Sequence, residues 1–258
     1  MSGPASHRVT NDLVVTLLRD AGKLEGEILD MGAGGGFLSR LLIQSRKRGA
    51  AGLAACDISS TTFSADGVSF TQCNVDEGLP YPDASFDAVV AIEVMEHTRS
   101  SYRVLSEIAR VLKPGGAVIF SVPNVGHMLS RLSFTTTGHY HMFPSPSIKP
   151  ENAGRLCGHV APLPVQYWHY GLRLAGFSGI VLRSDRVKRS AAGLAALFWP
   201  ILKFSTALHL RALERREPPL YAETADVARM ANSWPALASR SLVFQAVKGG
   251  VSPTSAGV

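Results

Sequence analysis

Cysteine is scarce in this chain, and the little that is present forms no pattern. Among 258 residues there are three cysteines, Cys56, Cys73 and Cys157, and no two of them make a C-x-x-C pair. An odd, unclustered set argues against a disulfide framework and against a zinc site. The N-terminal residues also lack the apolar core of a secretion signal. We therefore expect a protein of a reducing compartment and predict a cytoplasmic location.

Long charge runs and low-complexity segments are absent as well, so the chain is expected to fold. Hydrophobic residues make up 46% of it, which is ample core material for one α/β domain. The formal net charge of +6 could indicate nucleic acid or an anionic membrane as a partner, but we favour a mildly basic soluble enzyme. Only the two ends, residues 1–6 and 249–258, are expected to fray.

The most informative stretch is a glycine-rich turn between a predicted strand, residues 28–29, and a predicted helix, residues 37–43. Glycine lets the backbone adopt left-handed conformations and lets a ligand approach the main chain. The free N–H groups at the start of the helix supply further donors. The turn reads D-x-G-x-G-x-G and contains Asp30, Gly32, Gly34 and Gly36.

The spacing of these glycines excludes the usual dinucleotide site. The pattern G-x-G-x-x-G would need its last glycine at position 37, which is Phe37. Asp30 would also repel a pyrophosphate, whereas it suits a ligand that carries an ammonium group. The turn resembles the first motif of class I S-adenosylmethionine (SAM) methyltransferases. That resemblance implies that Asp30 faces the methionine amine, and that the glycines and Ala33 make room for the methionine and ribose.

Two later stretches resemble the same family more specifically. Residues 79–87 read L-P-Y-P-D-A-S-F-D, and residues 110–116 read R-V-L-K-P-G-G. The similarity covers residues 27–124 and is greatest to the ubiquinone-biosynthesis O-methyltransferase group (methyltransferase type 11). It implies a Rossmann-like α/β fold, with helices on both faces of a seven-stranded, mostly parallel sheet whose last strand is antiparallel. It also implies inserted helical lid segments, SAM as cofactor and S-adenosylhomocysteine as product.

We predict one domain over residues 1–258. It comprises a SAM-binding core at residues 25–124, an acceptor or lid insertion at residues 125–165 and a further insert at residues 187–237.

Polar residues at predicted strand ends complete the expected cofactor site. Asp57 follows the strand at residues 51–56 and is expected to accept the ribose hydroxyls; the alternative is an aspartate that caps a turn, and residues 59–61 are expected to open a helix. Asn74 stands where the family commonly has Asp, but its amide oxygen can still accept from the adenine amine. In parallel sheets ligands bind at the carboxyl ends of strands, which supports this set. The predicted cofactor-binding residues are Asp30, Gly32, Ala33, Gly34, Gly36, Asp57, Ile58, Asn74, Val75 and Glu93.

Histidines are the candidate catalytic residues. SAM carries its own leaving group, so a base is needed only where the acceptor must lose a proton. Histidine has a suitable pKa for that task. We rank His141 and His159 first because they lie in the predicted acceptor segment, and His97 next. Each could instead be an ordinary packing histidine.

The sequence E-x-x-E-H, formed by Glu93, Glu96 and His97, is similar to a metal-binding cluster of some small-RNA 2′-O-methyltransferases and of the ubiquinone group. Two carboxylates and an imidazole could hold a divalent ion. Many relatives carry these residues without a metal, however, so we predict none.

An unusual apolar run occupies residues 191–210. It is about long enough to span a bilayer, but Pro200 and Lys203 lie within it. We favour a lid over the acceptor pocket or a homodimer face through residues 191–216, and keep open a helix in the membrane interface with Trp199 as anchor. Basic residues flank the run on both sides: Arg183, Arg186, Lys188, Arg189, Arg211, Arg215 and Arg216.

The sequence therefore predicts a SAM-dependent methyltransferase that acts on a small or lipid-like acceptor at oxygen, in the cytoplasm or peripheral to a membrane. One alternative is an RNA methyltransferase, but the basic residues are not interleaved with aromatic ones, so nucleic acid is not expected. A second alternative is a non-catalytic protein that keeps the SAM fold and docks at a membrane surface.

Overall fold

The computed structural model describes residues 8–149 and 158–249. The predicted fraying of the two ends and the predictions for Cys157 lie outside the described residues, apart from Gly249. The helices are α1 (Arg8–Asp20), α2 (Phe37–Ser45), α3 (Ser101–Val111), α4 (Met128–Thr137), α5 (Val165–Leu174), α6 (Arg189–Arg216), α7 (Pro218–Ala231) and α8 (Trp234–Ala238). The strands are β1 (Ile28–Met31), β2 (Leu53–Asp57), β3 (Ser69–Gln72), β4 (Phe86–Ile92), β5 (Leu112–Pro123), β6 (Phe177–Ser184) and β7 (Ser241–Lys248).

The seven strands form one sheet in the order β3-β2-β1-β4-β5-β7-β6. β1 pairs in parallel with β2 and β4, β2 pairs in parallel with β3, and β4 pairs in parallel with β5. The last strands are antiparallel, so the predicted Rossmann-like, mostly parallel sheet is confirmed. The strand order reverses between β1 and β4. In open α/β sheets the ligand crevice lies at such a point, beyond the carboxyl ends of the strands.

The described residues cluster into two compact units. The first consists of the described parts of Met1–Val122, Gly171–Val181 and Val243–Val258, and the second of those of Pro123–Tyr170 and Leu182–Leu242. The first unit holds β1 to β4, nearly all of β5 and helices α1 to α3; the second holds α4, α6, α7 and α8. The division into a SAM core and two insertions, and the single domain that combines them, stay predictions.

The core of the first unit follows from its parallel strands, which are apolar on both faces because helices cover both sides. All four residues of β1 are buried, and so are six of the seven in β4. Val14 and Leu18 of α1 and Leu42 of α2 are fully buried in the same hydrophobic cluster. Phe120 of β5 stacks on Phe244 of β7 with the ring centroids 5.0 Å apart.

The prediction that a helix opens at residues 59–61 is wrong, because residues 58–68 form turns and irregular structure. Polar side chains there bond locally and so compete with a helix. Asp57 accepts a hydrogen bond from the Ser59 N–H at 3.1 Å, and the Ser59 and Thr61 hydroxyls are 2.8 Å apart. In addition, Phe63 packs on Phe70 of β3 with ring centroids 4.6 Å apart, which ties the segment to the sheet edge.

Phe244→Ala tests the packing between β5 and β7. We expect the substitution to lower the free energy of unfolding by about 3–5 kcal/mol, because it removes a fully buried ring and leaves a cavity. Urea denaturation measures this directly. The matched control is Phe204→Ala, since Phe204 is 66% exposed and its loss should change stability by at most about 0.5 kcal/mol. Equal effects of the two substitutions would contradict the assignment of the core.

Candidate active site

The glycine turn begins where β1 ends, and its conformation requires glycine. Gly32, Gly34 and Gly36 have φ values of +73°, +51° and +77°, a region that other residues rarely adopt. A side chain at Gly32 would also collide with the Cγ2 of Val94, which follows β4. A Cβ at Gly34, by contrast, would meet nothing within 4 Å. The turn therefore packs closely on β4 at Gly32 and is open at Gly34.

Asp30 is a buried carboxylate with no cation near it among the described residues. It is 4% exposed, and the Ser39 hydroxyl of α2 donates a hydrogen bond to its Oδ2 at 2.6 Å. Burial and, to a smaller extent, the charge of Asp57 raise the pKa of Asp30 to about 6, against the effect of the Ser39 bond. An ammonium group placed beside Asp30 would remove this penalty. The geometry agrees with the predicted contact to the methionine amine.

Asp57, at the end of β2, joins that strand to the glycine turn. Its Oδ2 accepts a hydrogen bond from the Gly34 N–H at 2.8 Å, and its Oδ1 accepts from Ser59. The turn-capping interpretation thus describes this ligand-free arrangement, while the ribose role stays a prediction. Ile58 beside it is 68% exposed and offers an apolar surface to a flat ring.

Asn74 and Val75 follow β3 in a turn. The Asn74 amide nitrogen donates to Glu77 at 2.9 Å, and its oxygen accepts from the Asp76 N–H at 3.2 Å. An amide oxygen has two lone pairs, so one of them is available for an adenine amine. The adenine role of Asn74 and Val75 stays a prediction.

Glu93, directly after β4, holds a strained backbone conformation with φ of +55°. Ser121 of β5 stabilises it, because its hydroxyl accepts from the Glu93 N–H at 3.1 Å and donates to Glu93 Oε1 at 3.0 Å. Glu93 thus follows the carboxyl end of β4, which pairs with the strand that carries Asp30. Ser121 and Ser39 carry no recognisable sequence signal, since each acts on a carboxylate far away in the chain.

Glu96 and His97 lie on the short 3₁₀ turn Met95–His97, where Glu96 is 1% exposed and His97 is exposed. Burial raises the pKa of Glu96 well above its usual value, and the charge of Glu93 raises it further. No other described side chain gives the Glu96 carboxylate a hydrogen bond. Glu96 therefore holds its proton more strongly than an ordinary glutamate, and it would have to lose that proton before it could bind an ion. Whether Glu93, Glu96 and His97 hold a metal stays untested.

His159 lies in the second unit and is 8% exposed. Its Nδ1 is 2.9 Å from the carbonyl oxygen of Met142. A carbonyl can only accept, so Nδ1 carries the proton and Nε2 is the basic nitrogen of the neutral ring.

His141, in the same unit, is placed differently. Its Nε2 is 3.2 Å from Lys188 Nζ, and its ring lies 5.4 Å from that of the buried His127. Burial, together with the charges of Lys188 and Arg240, lowers the pKa of His141. Sequence reasoning treated Lys188 only as a basic flank, because the contact joins residues 47 positions apart.

A parallel sheet that reverses its order at a glycine turn is the architecture of a Rossmann-like protein, and the buried Asp30 carboxylate beside that turn suits a ligand that bears a positive charge. Residues 29–120 match the family described as "Methyltransferase domain". This match supports a class I SAM-dependent methyltransferase domain over these residues, with SAM as its cofactor.

Curated relatives agree with this family. The chain is 31% identical over 102 residues to a probable SAM-dependent methyltransferase of Mycolicibacterium smegmatis, covering 38% of each chain. It is 34% identical over 113 residues to the ubiquinone biosynthesis O-methyltransferase of Alkalilimnicola ehrlichii, covering 40% of this chain and 44% of that one. The chain thus spans less than half the length of these two relatives.

Solved structures support the fold. Phosphoethanolamine N-methyltransferase 2 of Haemonchus contortus, in complex with SAM, superposes with a TM-score of 0.53 at 18% identity, covering 92% of this chain and 52% of that one. A SAM-dependent methyltransferase of Mesorhizobium loti superposes with a TM-score of 0.51 at 15% identity, covering 90% and 96%.

Asp57→Ala tests the ribose assignment. We expect the affinity for SAM to fall by about 1–3 kcal/mol, because a charged hydrogen-bond acceptor is lost. Isothermal titration calorimetry measures the change, and a thermal melt shows whether the glycine turn has survived. Asp226→Ala is the control, since that side chain is 94% exposed in the second unit. Unchanged affinity in Asp57→Ala would refute the assignment.

Asp30→Asn tests the buried carboxylate through pH. The pKa of Asp30 is about 6 in the folded protein, against an ordinary value of 3.8, so between these pH values the folded state keeps a proton that the unfolded chain loses. The free energy of unfolding of the native protein therefore falls as the pH rises through this window. The asparagine cannot ionise. The variant should lack this fall and be more stable at pH 7, by up to about 3 kcal/mol.

Urea denaturation from pH 4 to pH 7.5 measures this difference without ligand. The same variant should bind SAM more weakly, because no negative charge meets the ammonium group. SAM affinity of the native protein should fall as the pH drops below about 6 and Asp30 becomes protonated. If the free energy of unfolding depended on pH in the same way in both proteins, the raised pKa of Asp30 would be contradicted.

Proposed function

We propose that the protein transfers the methyl group of SAM to an oxygen atom of a small or lipid-like acceptor in the cytoplasm. The assignment of SAM as methyl donor rests on Asp30. Its carboxylate is buried beside the open glycine turn, with no cation near it among the described residues. Support for oxygen comes from relatives named as ubiquinone biosynthesis O-methyltransferases in Alkalilimnicola ehrlichii, Cronobacter sakazakii and Coxiella burnetii. The scarcity of cysteine supports the location.

The chemistry asks little of the protein beyond alignment. The acceptor oxygen attacks the methyl carbon, the bond between that carbon and sulfur breaks, and its electron pair returns to sulfur to give S-adenosylhomocysteine. Fixing the oxygen, methyl and sulfur in line supplies much of the acceleration. A hydroxyl acceptor must also give up its proton, and a positioned base lowers that part of the barrier.

His159 is the base that the side-chain geometry favours. Its Nδ1–H is held by the Met142 carbonyl, so Nε2 is the nitrogen that takes a proton. In His141 the corresponding nitrogen faces Lys188, and an ammonium group can only donate. The Nε2 lone pair of His141 is therefore directed at Lys188 rather than at a hydroxyl. His97, on its exposed turn, is the third candidate.

The activity is tested by incubating the full chain with methyl-labelled SAM and separate acceptors, namely a catechol, an alkyl-substituted phenol, a primary amine, a carboxylic acid and an RNA. We expect labelled product with a hydroxyl acceptor, and mass spectrometry locates the methyl on oxygen. Label on the amine or the RNA alone would contradict O-methylation. Failure to bind SAM in calorimetry would contradict the proposal as a whole.

His159→Gln tests the base. With a hydroxyl acceptor we expect the rate constant for methyl transfer to fall by about 10²–10⁴-fold, since general-base catalysis is lost. SAM affinity should stay unchanged. His141→Gln and His97→Gln serve as matched controls and should retain more activity. A larger loss in His141→Gln than in His159→Gln would transfer the role of the base to His141.

A further inference from the structure

The long helix α6 has two distinct faces. One face packs on α4, α7 and α8 within the second unit. Thr206 lies on this face, and its hydroxyl accepts a hydrogen bond from the Asn232 amide at 2.9 Å. At about 100° per residue, the buried residues of α6 fall on the same side as Thr206. These buried residues are Ala191, Ala195 and Leu210.

The opposite face carries a stripe of large apolar side chains. Successive members are four, three and four positions apart, which places them together and about half a turn from the buried face. Only 11% of the most apolar stretch of this helix is buried, so the described part of the chain leaves these side chains exposed. A contiguous exposed apolar patch of this kind marks an interaction site. The stripe consists of Leu197, Ile201, Phe204 and Leu208, which are 70%, 60%, 66% and 48% exposed.

The charge of α6 indicates what covers the stripe. The helix contains five basic residues and one acidic residue, Glu214. Its last turns carry Arg211, Arg215 and Arg216, and Lys188 and Arg189 stand at its beginning. An apolar stripe between two basic ends complements an anionic lipid surface, where phosphates attract the ends and acyl chains receive the stripe.

Two other arrangements fit less well. By length and composition alone α6 could cross a bilayer. However, its other face is packed on α4, α7 and α8, and the two strands it connects, β6 and β7, are neighbours in one sheet. In a two-fold dimer the stripes of the two chains would pack against each other. This arrangement would bring the basic ends of the two helices together, and they would repel each other.

We propose that α6 lies flat in the headgroup region of an anionic membrane, with Leu197, Ile201, Phe204 and Leu208 inserted toward the acyl chains. The basic residues at its ends bind lipid phosphates. This inference goes beyond the proposed function and does not depend on it, because lipid binding is measured without SAM or acceptor. If both hold, a lipid-like acceptor can enter the enzyme from the membrane surface.

Flotation with vesicles tests the proposal on the full chain. We expect the protein to float with vesicles of phosphatidylcholine and phosphatidylglycerol in equal parts, and to stay unbound with phosphatidylcholine alone. Binding should weaken as salt screens the basic ends. Absence of flotation with the anionic vesicles would overturn the proposal.

A matched pair of double variants tests the stripe. Ile201→Ser with Phe204→Ser should lower the partition coefficient at least about tenfold, because the buried apolar area drives insertion. The control is Tyr167→Ser with Leu174→Ser on α5, whose side chains are similarly exposed at 52% and 54%. Circular dichroism and urea midpoints check that both variants fold. Equal flotation of stripe variant and control would overturn the insertion.

A triple variant tests the charges. Arg211→Gln, Arg215→Gln and Arg216→Gln together should weaken anionic binding about a hundredfold, since each charge near the surface contributes about fivefold. Sedimentation without lipid measures the oligomeric state and so tests whether a second copy of the chain covers the stripe instead. A stable dimer that the stripe variant converts to a monomer would assign the stripe to a contact between two copies and overturn the membrane proposal.

Discussion

The close packing of the glycine turn against the end of β4 is the constraint on which the site depends. Gly32 can lie against Val94 only because it has no side chain and adopts a positive φ. This contact holds the carboxyl ends of β1 and β4 together where the strand order reverses. Asp30 lies beneath the turn, and Glu93 begins the segment that leaves β4. A larger residue at Gly32 would collide with the Val94 side chain and force it to move.

Stability and ligand binding oppose each other at Asp30. A carboxylate buried without a cation destabilises the folded protein, as the raised pKa shows. The same group has the greatest effect when a ligand brings the missing positive charge. Glu96 shows the same effect, because burial and the charge of Glu93 raise the pKa of its carboxyl. The first unit therefore holds unfavourable electrostatics at the site that we predict for a cationic cofactor.

The second unit carries the features that differ from the general family pattern. Its two candidate histidines are held by different partners, a carbonyl for His159 and an ammonium group for His141. The carbonyl fixes the tautomer of His159, whereas burial and nearby cations lower the pKa of His141, so two similar side chains differ in their chemistry. Helix α6 adds a surface whose exposed apolar stripe and basic ends suit a lipid boundary.

Local patterns in the sequence were sufficient for much of the fold. Continuous apolar runs predicted the parallel strands, and D-x-G-x-G-x-G predicted the turn and the family, because these features depend on neighbours in the chain. The helix expected at residues 59–61 failed, since local polar bonds and the contact of Phe63 with Phe70 outweighed helix formation.

Only the tertiary structure decided the contacts between distant residues: Ser39 with Asp30, Lys188 with His141 and the Met142 carbonyl with His159. It also decided which face of α6 is exposed. Periodicity shows which apolar residues share a face, but burial depends on what packs against that face, and this is determined by the fold as a whole.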